Sequence, residues 1–333
     1  QALVSGLAPN ALYTFRVTAL NAGGESYPCL TAAVRTTAAG GRPATLLVDG
    51  FDRLDGNADI YESVPYAGLV ARVYLQRMNS YDYSIQHGQA LHACGVPFDF
   101  AANEAVAAGA ILLPDYGVVD WILGEESTYD ETFDAAEQAL VSAFLDGGGG
   151  LLVSGAEIGW DLDERGSSAD RAFYNGYLKA DYAGDDAATY QITGTAGIFA
   201  GLAGFSFDDS THGSYDVDWA DYITPRGGSA VDLTYAGARS AAVEYSGSYR
   251  LVHLAFPFET IYPQQARAQV MCRIAAFLAY TPPPPTPTPT RTPTRTPSPG
   301  PSPTPPAWTH RAFLPAVVRR LPADLRQWLG RLR

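Results

Sequence analysis

Residues 131–157 read ETFDAAEQALVSAFLDGGGGLLVSGAE and predict a helix followed by a short buried strand. Thr128 and Glu131 have the spacing of a capping box at the helix start, and Gly147 is a residue type that ends helices. Between these positions lies an apolar stripe at helical spacing, formed by Phe133, Ala136, Leu140, Val141 and Phe144. Gly150–Val153 is apolar but too short for a helix, so the stretch predicts a helix–strand unit of an α/β sheet.

The same alternation continues on both sides of this unit. Strand patterns occur at Thr45–Val48, Phe98–Ala101, Ala110–Leu113 and Tyr249–Phe256, and helical patterns at 67–78, Ser84–Cys94, Ala169–Lys179 and 263–278. A β-rich insertion at 189–245 precedes the last strand. Strands that alternate with helices are typical of parallel sheets with helices on both faces. We therefore predict an α/β domain at 43–280 with a doubly wound, mostly parallel sheet.

The first 38 residues have a different, β-rich pattern. Alternation from Tyr13 to Ala19 predicts a strand with one buried face, and residues 21–24 predict a turn. Leu7, Pro9 and Tyr13 resemble the tyrosine corner of a fibronectin type III domain, in which the hydroxyl bonds to the upstream backbone. The resemblance implies that residues 1–38 are the C-terminal part of such a domain.

Charge is distributed unevenly along the 333 residues, whose formal net charge is −13. Residues 43–280 contain 33 acidic and 11 basic side chains, a net charge of −22. An acidic surface repels the phosphate backbone, which argues against DNA or RNA as a partner.

The chain contains three cysteines, Cys29, Cys94 and Cys272, that are far apart in sequence. Without a CxxC pair or a Cys/His cluster, a structural zinc site is not expected. The spacing favours buried, inert thiols, with a single disulfide or a reactive thiol as the alternatives.

Residues 281–306 form a Pro/Thr-rich linker, which favours an extended polyproline II stalk or a disordered linker. The tail at 307–333 carries arginines between leucines and Trp328 at helical spacing. Such a basic amphipathic segment could associate with an anionic membrane or the cell wall, or remain a solvated tail. No apolar run reaches the length of a membrane span.

Polar and aromatic residues follow each predicted strand. They are Asp52 and Arg53, Asn103 and Glu104, Asp115 and Tyr116, then Ser154, Glu157, Trp160 and Asp161, and finally Glu259. Since ligands of open α/β sheets bind at the carboxyl ends of the strands, these residues predict one ligand site. The alternative is that they are ordinary solvated loop residues and helix caps.

Two of these strand ends resemble the class I glutamine amidotransferases, which have a flavodoxin-like fold. In that superfamily one strand enters a Gly-x-Cys-x-Gly elbow, and a later strand ends in Phe-His-Pro-Glu. Here the segments read LLVSGAE at 151–157 and LAFPFE at 254–259. Glu259 matches, but the cysteine is absent and Pro257 occupies the position of the histidine. The resemblance implies the fold without its thiol chemistry.

Two routes to hydrolysis remain open in the sequence. Ser154 could act as a nucleophile if His212 supplied a general base, whereas His253 lies in an apolar strand and is better explained as a core residue. Carboxylate pairs, Glu125 with Glu126 or Glu157 with Asp161, could instead cleave a glycan.

A calcium site is the only cofactor that the sequence suggests. Asp161, Asp163 and Gly166 have the spacing that opens an EF-hand loop, although Ala172 replaces the final glutamate. Asp208 and Asp209 begin a second acid-rich loop.

The segments FDRLDG at 51–56, NEAV at 103–106, DYGVVDWILGEES at 115–127 and SGAEIGWDLD at 154–163 resemble the accessory region of secreted bacterial proteins named xanthan lyase or N-acetylmuramoyl-L-alanine amidase. This resemblance implies a secreted or cell-surface, non-catalytic module that binds glycan or peptidoglycan. The alternatives are a hydrolase or polysaccharide lyase with its site at the same sheet edge, and a structural spacer without a ligand.

Overall fold

A computed structural model describes residues 4–26, 28–53, 60–72 and 83–279 of the chain. The predicted stalk at 281–306 and the predicted tail at 307–333 lie outside the described residues. Within these ranges, no helix combines the length and the apolar character needed to cross a membrane.

The helices are α1 (Ser84–Ala93), α2 (Asn103–Ala107), α3 (Ala135–Asp146), α4 (Ser168–Tyr177) and α5 (Gln264–Leu278). The strands are β1 (Leu12–Phe15), β2 (Leu20–Asn21), β3 (Gly24–Glu25), β4 (Ala32–Arg35), β5 (Thr45–Asp49), β6 (Ile60–Val64), β7 (Gly68–Arg72), β8 (Phe98–Ala102), β9 (Val118–Gly124), β10 (Gly150–Gly155), β11 (Ala180–Gly184), β12 (Gln191–Thr195), β13 (Phe205–Phe207), β14 (Tyr222–Pro225), β15 (Ala230–Tyr235), β16 (Ser240–Ser246), β17 (Arg250–Leu254) and β18 (Ile261–Tyr262).

Twelve of these strands form one mixed sheet in the order β1-β4-β8-β5-β9-β10-β17-β16-β15-β12-β13-β18. Only five neighbours, β8, β5, β9, β10 and β17, run parallel to one another. The prediction of a doubly wound, mostly parallel, flavodoxin-like sheet was therefore wrong.

The antiparallel part of the sheet arises from short connections in the β-rich insertion. Residues 236–239 join β15 to β16, and residues 247–249 join β16 to β17. Such short loops can connect only antiparallel neighbours, because a parallel neighbour requires a long crossover. At the opposite side, β4 pairs antiparallel with β8, so the sheet continues into the first 35 residues. There the Tyr13 hydroxyl accepts a hydrogen bond from the Ala8 backbone N–H at 2.8 Å.

Both faces of the central strands are buried, which explains their continuous apolar runs. Leu152 of β10 faces the side covered by α1 and α5, where Leu91 and Ile274 are buried. Leu151 and Val153 face the other side, with residues of α2, α3 and α4.

Several predicted elements are confirmed, namely the helices α1, α4 and α5 and the strands β5, β8, β10 and β17. The clearest predicted helix begins later than expected. Glu131 has a φ of 54°, which is incompatible with a helix, so α3 starts after a capping box of Asp134 and Glu137.

Two predicted elements were wrong. Ala110–Leu113 is not a strand; a 3-10 turn at Leu113–Asp115 leads instead into β9. Within the predicted helix at 67–78, the described residues form β7, which pairs with β6 in a hairpin. The rest of that prediction lies outside the described residues.

Cys94 and Cys272 form a disulfide with a Cα–Cα distance of 5.2 Å. The bond joins the C-terminal cap of α1 to α5, on one face of the sheet. The expectation of inert thiols was thus wrong for this pair, and Cys29 is the free cysteine of the described residues.

Candidate functional site

The loops that follow β5 and β9 are joined by a buried carboxylate at the carboxyl edge of the parallel strands. The side chain of Glu126 is buried, and its Oε1 accepts a hydrogen bond from the Asp52 backbone N–H at 2.6 Å. The Arg53 backbone N–H donates to the same oxygen. These contacts hold the β5 loop in one position relative to the β9 loop.

The Arg53 guanidinium contacts two oxygen-bearing groups and one aromatic ring of this edge. Its Nη1 donates to the Glu125 carbonyl oxygen at 2.9 Å and lies 3.8 Å from the Glu157 carboxylate. The guanidinium also lies over the Tyr129 ring, 5.5 Å from its centre. Arg53 therefore connects the loops after β5, β9 and β10.

Acidic groups surround this arginine. Burial raises the pKa of Glu157 to about 7, against the opposing effects of a hydrogen bond with Ser127 and the Arg53 charge. Burial also raises the pKa of Glu125. The negative charges of Glu157 and Asp218 raise it further, and the Arg53 charge opposes this increase. A carboxyl group that titrates near neutral pH can donate or accept a proton under physiological conditions.

The loop at 208–221 is attached to the same edge. Asp221 Oδ2 accepts hydrogen bonds from the backbone N–H groups of Gly159, at 2.7 Å, and Trp160, at 3.0 Å. The Trp160 ring is half-buried, because it packs against Tyr182 and beneath the Arg165 guanidinium.

Two exposed aromatic side chains lie on segments of this edge. Tyr129 follows β9 and is 64% exposed, and Trp219 belongs to the loop at 208–221 and is 56% exposed. Tyr66, which is 93% exposed, lies instead in the turn between β6 and β7. Trp219 also has a φ of 61°, a left-handed conformation that a tryptophan rarely adopts. Strained residues of this kind are concentrated at functional sites.

The structure brings some of the sequence-predicted residues together at this edge, namely Asp52, Arg53, Glu157, Trp160 and Asp161. Asn103 and Glu104 begin α2, directly after β8. The Asn103 side chain donates to Glu137 Oε1 at 2.9 Å and thereby supports the capping box of α3.

Asp115 and Tyr116 lie at the opposite, amino edge, so their predicted place was wrong. They precede β9 instead of following a strand, since Ala110–Leu113 is not one. Asp115 pairs with Arg42, and the Tyr116 hydroxyl donates to Asp99 at 3.1 Å.

Ser154 is buried within β10, and its Oγ has no hydrogen-bond partner. The His212 ring stacks on Tyr262 at 3.6 Å and lies 3.6 Å from Asp208, and His253 contacts the Leu178 carbonyl oxygen. Among the described histidines, none supplies the hydroxyl of Ser154 with a base.

Glu259 is also buried. Its carboxylate accepts a hydrogen bond from the Tyr215 hydroxyl at 2.6 Å and lies 3.3 Å from His87 Nε2. This glutamate serves an internal polar network and does not face a solvent-exposed ligand site.

The four predicted metal ligands separate into two places. Asp161 accepts two hydrogen bonds from Thr132, and Asp163 accepts one from the Tyr182 backbone. Asp208 and Asp209 lie with His212 in a group whose candidate ligand atoms are within 4.8 Å of one another.

Sequence reasoning missed a second such group, formed by Asp52, Glu126 and Asp130. Its signal in the sequence was the acidic doublet at 125–126, directly after the apolar run that forms β9. Because the third strand was predicted at Ala110–Leu113 and not at β9, the doublet was not recognised as following a strand.

A cavity of about 330 Å³ lies at the amino edge, between α1, α5 and the first residues of β5 and β9. Its lining is apolar apart from Thr45 and Asp120. The charged and aromatic groups instead converge at the carboxyl edge, and we place the candidate site there.

A scan of protein-family models and a search of curated proteins give no match to this chain. Among solved structures, an exo-β-1,4-mannosidase from Opitutaceae bacterium strain TAV5 is similar over 71% of this chain, with 14% identity and a TM-score of 0.42. That similarity covers 36% of the mannosidase chain, so this chain spans about a third of that protein.

Two further structures are similar at 12% identity. A cytoplasmic protein from Salmonella typhimurium LT2 matches over 70% of this chain and 99% of its own, with a TM-score of 0.43. A glutamine amidotransferase from Thermotoga maritima matches over 66% of this chain and 78% of its own, with a TM-score of 0.36.

Proposed function

We propose that this chain is a non-catalytic, glycan-binding module of an extracellular multidomain protein. The observation that carries the proposal is the pair of exposed aromatics, Tyr129 and Trp219, on segments attached to an edge rich in carboxylates. Xanthan-like polysaccharide or peptidoglycan is the ligand class implied by the accessory-region resemblance.

Aromatic rings and charged side chains together suit the chemistry of sugars. The C–H face of a sugar packs against an aromatic ring, and its hydroxyls bond to carboxylates and guanidinium groups. Arg53 and Glu157 could supply such polar contacts, because each retains some solvent exposure next to Tyr129.

The residues at the positions that match the catalytic motifs of the glutamine amidotransferases support a role without catalysis. Ser154 is buried without a partner, and Pro257 replaces the histidine of the amidotransferase segment. Nucleophilic catalysis requires an accessible nucleophile with an adjacent base, and this edge offers neither among its described serine and histidine residues.

An extracellular location is consistent with the Cys94–Cys272 disulfide. Disulfides persist in oxidising compartments and are rare in the cytosol of most organisms. The fibronectin-like pattern of residues 1–38 and the Pro/Thr-rich composition of residues 281–306 are also typical of surface proteins, so we include both in the proposal.

Replacing Trp219 or Tyr129 by alanine should weaken glycan binding by about 1–3 kcal/mol each, because each ring supplies apolar contact to a sugar face. Titration calorimetry with soluble xanthan fragments and co-sedimentation with purified peptidoglycan would measure the effect. Leu112→Ala is the matched control, since Leu112 is also large, apolar and 54% exposed but lies near the amino edge.

Equal binding by the wild type and both aromatic variants would refute the placement of the site. Absence of binding by the wild type to either polymer would leave the spacer role as the better explanation.

A second candidate, carboxylate-based glycan hydrolysis, is favoured by one observation. Glu157 has its pKa raised to about 7 by burial and lies near Glu125 and Arg53. A raised pKa is what a general acid needs in order to protonate a leaving group at neutral pH.

If Glu157 is a general acid, activity should fall as the pH rises through about 7, where this carboxyl loses its proton. Glu157→Gln should then lower kcat by at least about a hundredfold, measured by reducing-sugar release from the same polymers. Glu244→Gln is the control, because burial also raises the pKa of Glu244, which lies within β16 and not in the loops of this edge. Activity in wild type that is unchanged in Glu157→Gln would exclude this role.

A further inference from the structure

Three carboxylates of two loops converge at the carboxyl edge. Asp52 follows β5, whereas Glu126 and Asp130 follow β9, and one oxygen from each lies within 4.8 Å of the other two. Oxygen ligands lie about 2.3–2.6 Å from a calcium ion, so ligands on opposite sides are about 5 Å apart. The three oxygens are therefore close enough to bind a single ion.

Glu126 is a buried carboxylate with one unsatisfied oxygen. Its side chain is 1% exposed, and Oε1 accepts the backbone N–H groups of Asp52 and Arg53. Its Oε2 is buried and has no hydrogen-bond partner. A buried carboxylate oxygen without a partner is costly, and a cation would provide the missing contact.

The charges of the group point in the same direction, because the Asp52 and Asp130 carboxylates lie beside the buried Glu126 carboxylate. A cation between the three carboxylates would offset their mutual repulsion.

We propose that Asp52, Glu126 and Asp130 bind one calcium ion, which joins the β5 loop to the β9 loop. The group offers only oxygen ligands, which hard cations prefer, and contains no histidine or cysteine that would favour a transition metal. Irregular loops suit the variable geometry of calcium better than the strict octahedron of magnesium. The inference goes beyond glycan binding and does not depend on it.

The group of Asp208, Asp209 and His212 contains no buried carboxylate oxygen without a hydrogen-bond partner. Both oxygens of buried Asp208 already accept backbone N–H groups, from His212 at 2.8 Å and from Ser214 at 2.7 Å. The Asp209 carboxylate accepts from Thr211. These carboxylates are satisfied without an ion, so Asp209→Asn serves as the control.

The test is a calcium titration of the full chain by calorimetry, together with thermal unfolding in calcium chloride and in EDTA. We expect one ion per chain and a higher Tm in calcium, because an ion that binds only the folded state stabilises it. Glu126→Gln and Asp130→Asn should each weaken calcium binding at least tenfold, Asp209→Asn should leave it unchanged, and magnesium should bind more weakly.

Each variant is checked for folding by its circular dichroism spectrum in EDTA. Asp130→Asn is the safer of the two, because Asp130 is not a core residue. Absence of heat and of a Tm shift in the wild type would overturn the proposal. Loss of binding in Asp209→Asn but not in Glu126→Gln would place the ion in the other loop.

Discussion

Replacing His87 by glutamine should destabilise the folded chain by about 3–5 kcal/mol, because this imidazole lies between two buried carboxylates. Its Nδ1 is 2.8 Å from Asp120 Oδ2, and its Nε2 is 3.3 Å from Glu259 Oε2. Glutamine can form hydrogen bonds with one or both partners, but it leaves their negative charges uncompensated inside the protein. Urea denaturation followed by circular dichroism would measure the loss.

The same network predicts a dependence of stability on pH. Burial alone would lower the pKa of His87, but the charges and hydrogen bonds of Asp120 and Glu259 outweigh it and raise the pKa to about 9. Since the unfolded value is about 6.5, the stabilisation is complete below about pH 6.5 and is lost as the pH rises through about 9. Denaturation at pH 6, 8 and 10 would follow this decline.

His92→Gln is the matched control, because His92 is an exposed histidine at the end of the same helix, α1, and glutamine can still accept the hydrogen bond that Arg35 Nε donates to it. It should change stability by less than about 0.5 kcal/mol at any of these pH values. A His87 variant as stable as the wild type, with the same pH profile, would show that the imidazole is neutral and carries no ion pair.

Replacing Cys94 or Cys272 by serine should cost about 2–5 kcal/mol of stability, since the disulfide restricts the unfolded chain. The two cysteines are 178 residues apart, and the entropy that a cross-link removes from the unfolded state grows with loop length. Denaturation with and without a reducing agent would measure this loss, and alkylation before and after reduction would count the bonded thiols.

Cys29→Ser is the control for this prediction, because Cys29 is not bonded to another cysteine. It should leave both the stability and the response to reductant unchanged. Full alkylation of all three cysteines in the folded, unreduced protein would contradict the disulfide.

The individual helices and strands of the centre were predictable because their signals are local. The apolar stripe of α3 and the short apolar run of β10 depend on residues within one or two turns of each other. Ala110–Leu113 was wrongly predicted as a strand, and the residues that follow it were therefore predicted to follow a strand end. Asp115 and Tyr116 were then assigned to the wrong edge of the sheet.

Only some residues of the candidate site could be predicted from the sequence. Asp52, Arg53 and Glu157 follow recognisable strands, and the rule that ligands bind at the carboxyl edge selected them. Ser154 and Glu259 satisfy that rule equally well, yet they are buried. Sequence position places a residue near an edge, but the direction of its side chain depends on the register of the neighbouring strands.

The sequence by itself determined most central helices and strands, the acidic character of residues 43–280 and the absence of an amidotransferase-like cysteine and histidine from the segments at 151–157 and 254–259, because each is a property of neighbouring residues or of composition. Only the tertiary structure decided that the sheet is mixed, that Cys94 meets Cys272, and that Glu126 lies against Asp52 with one oxygen unpaired. These features depend on contacts between residues distant in sequence, and their energies appear only when the folded chain excludes water from both partners.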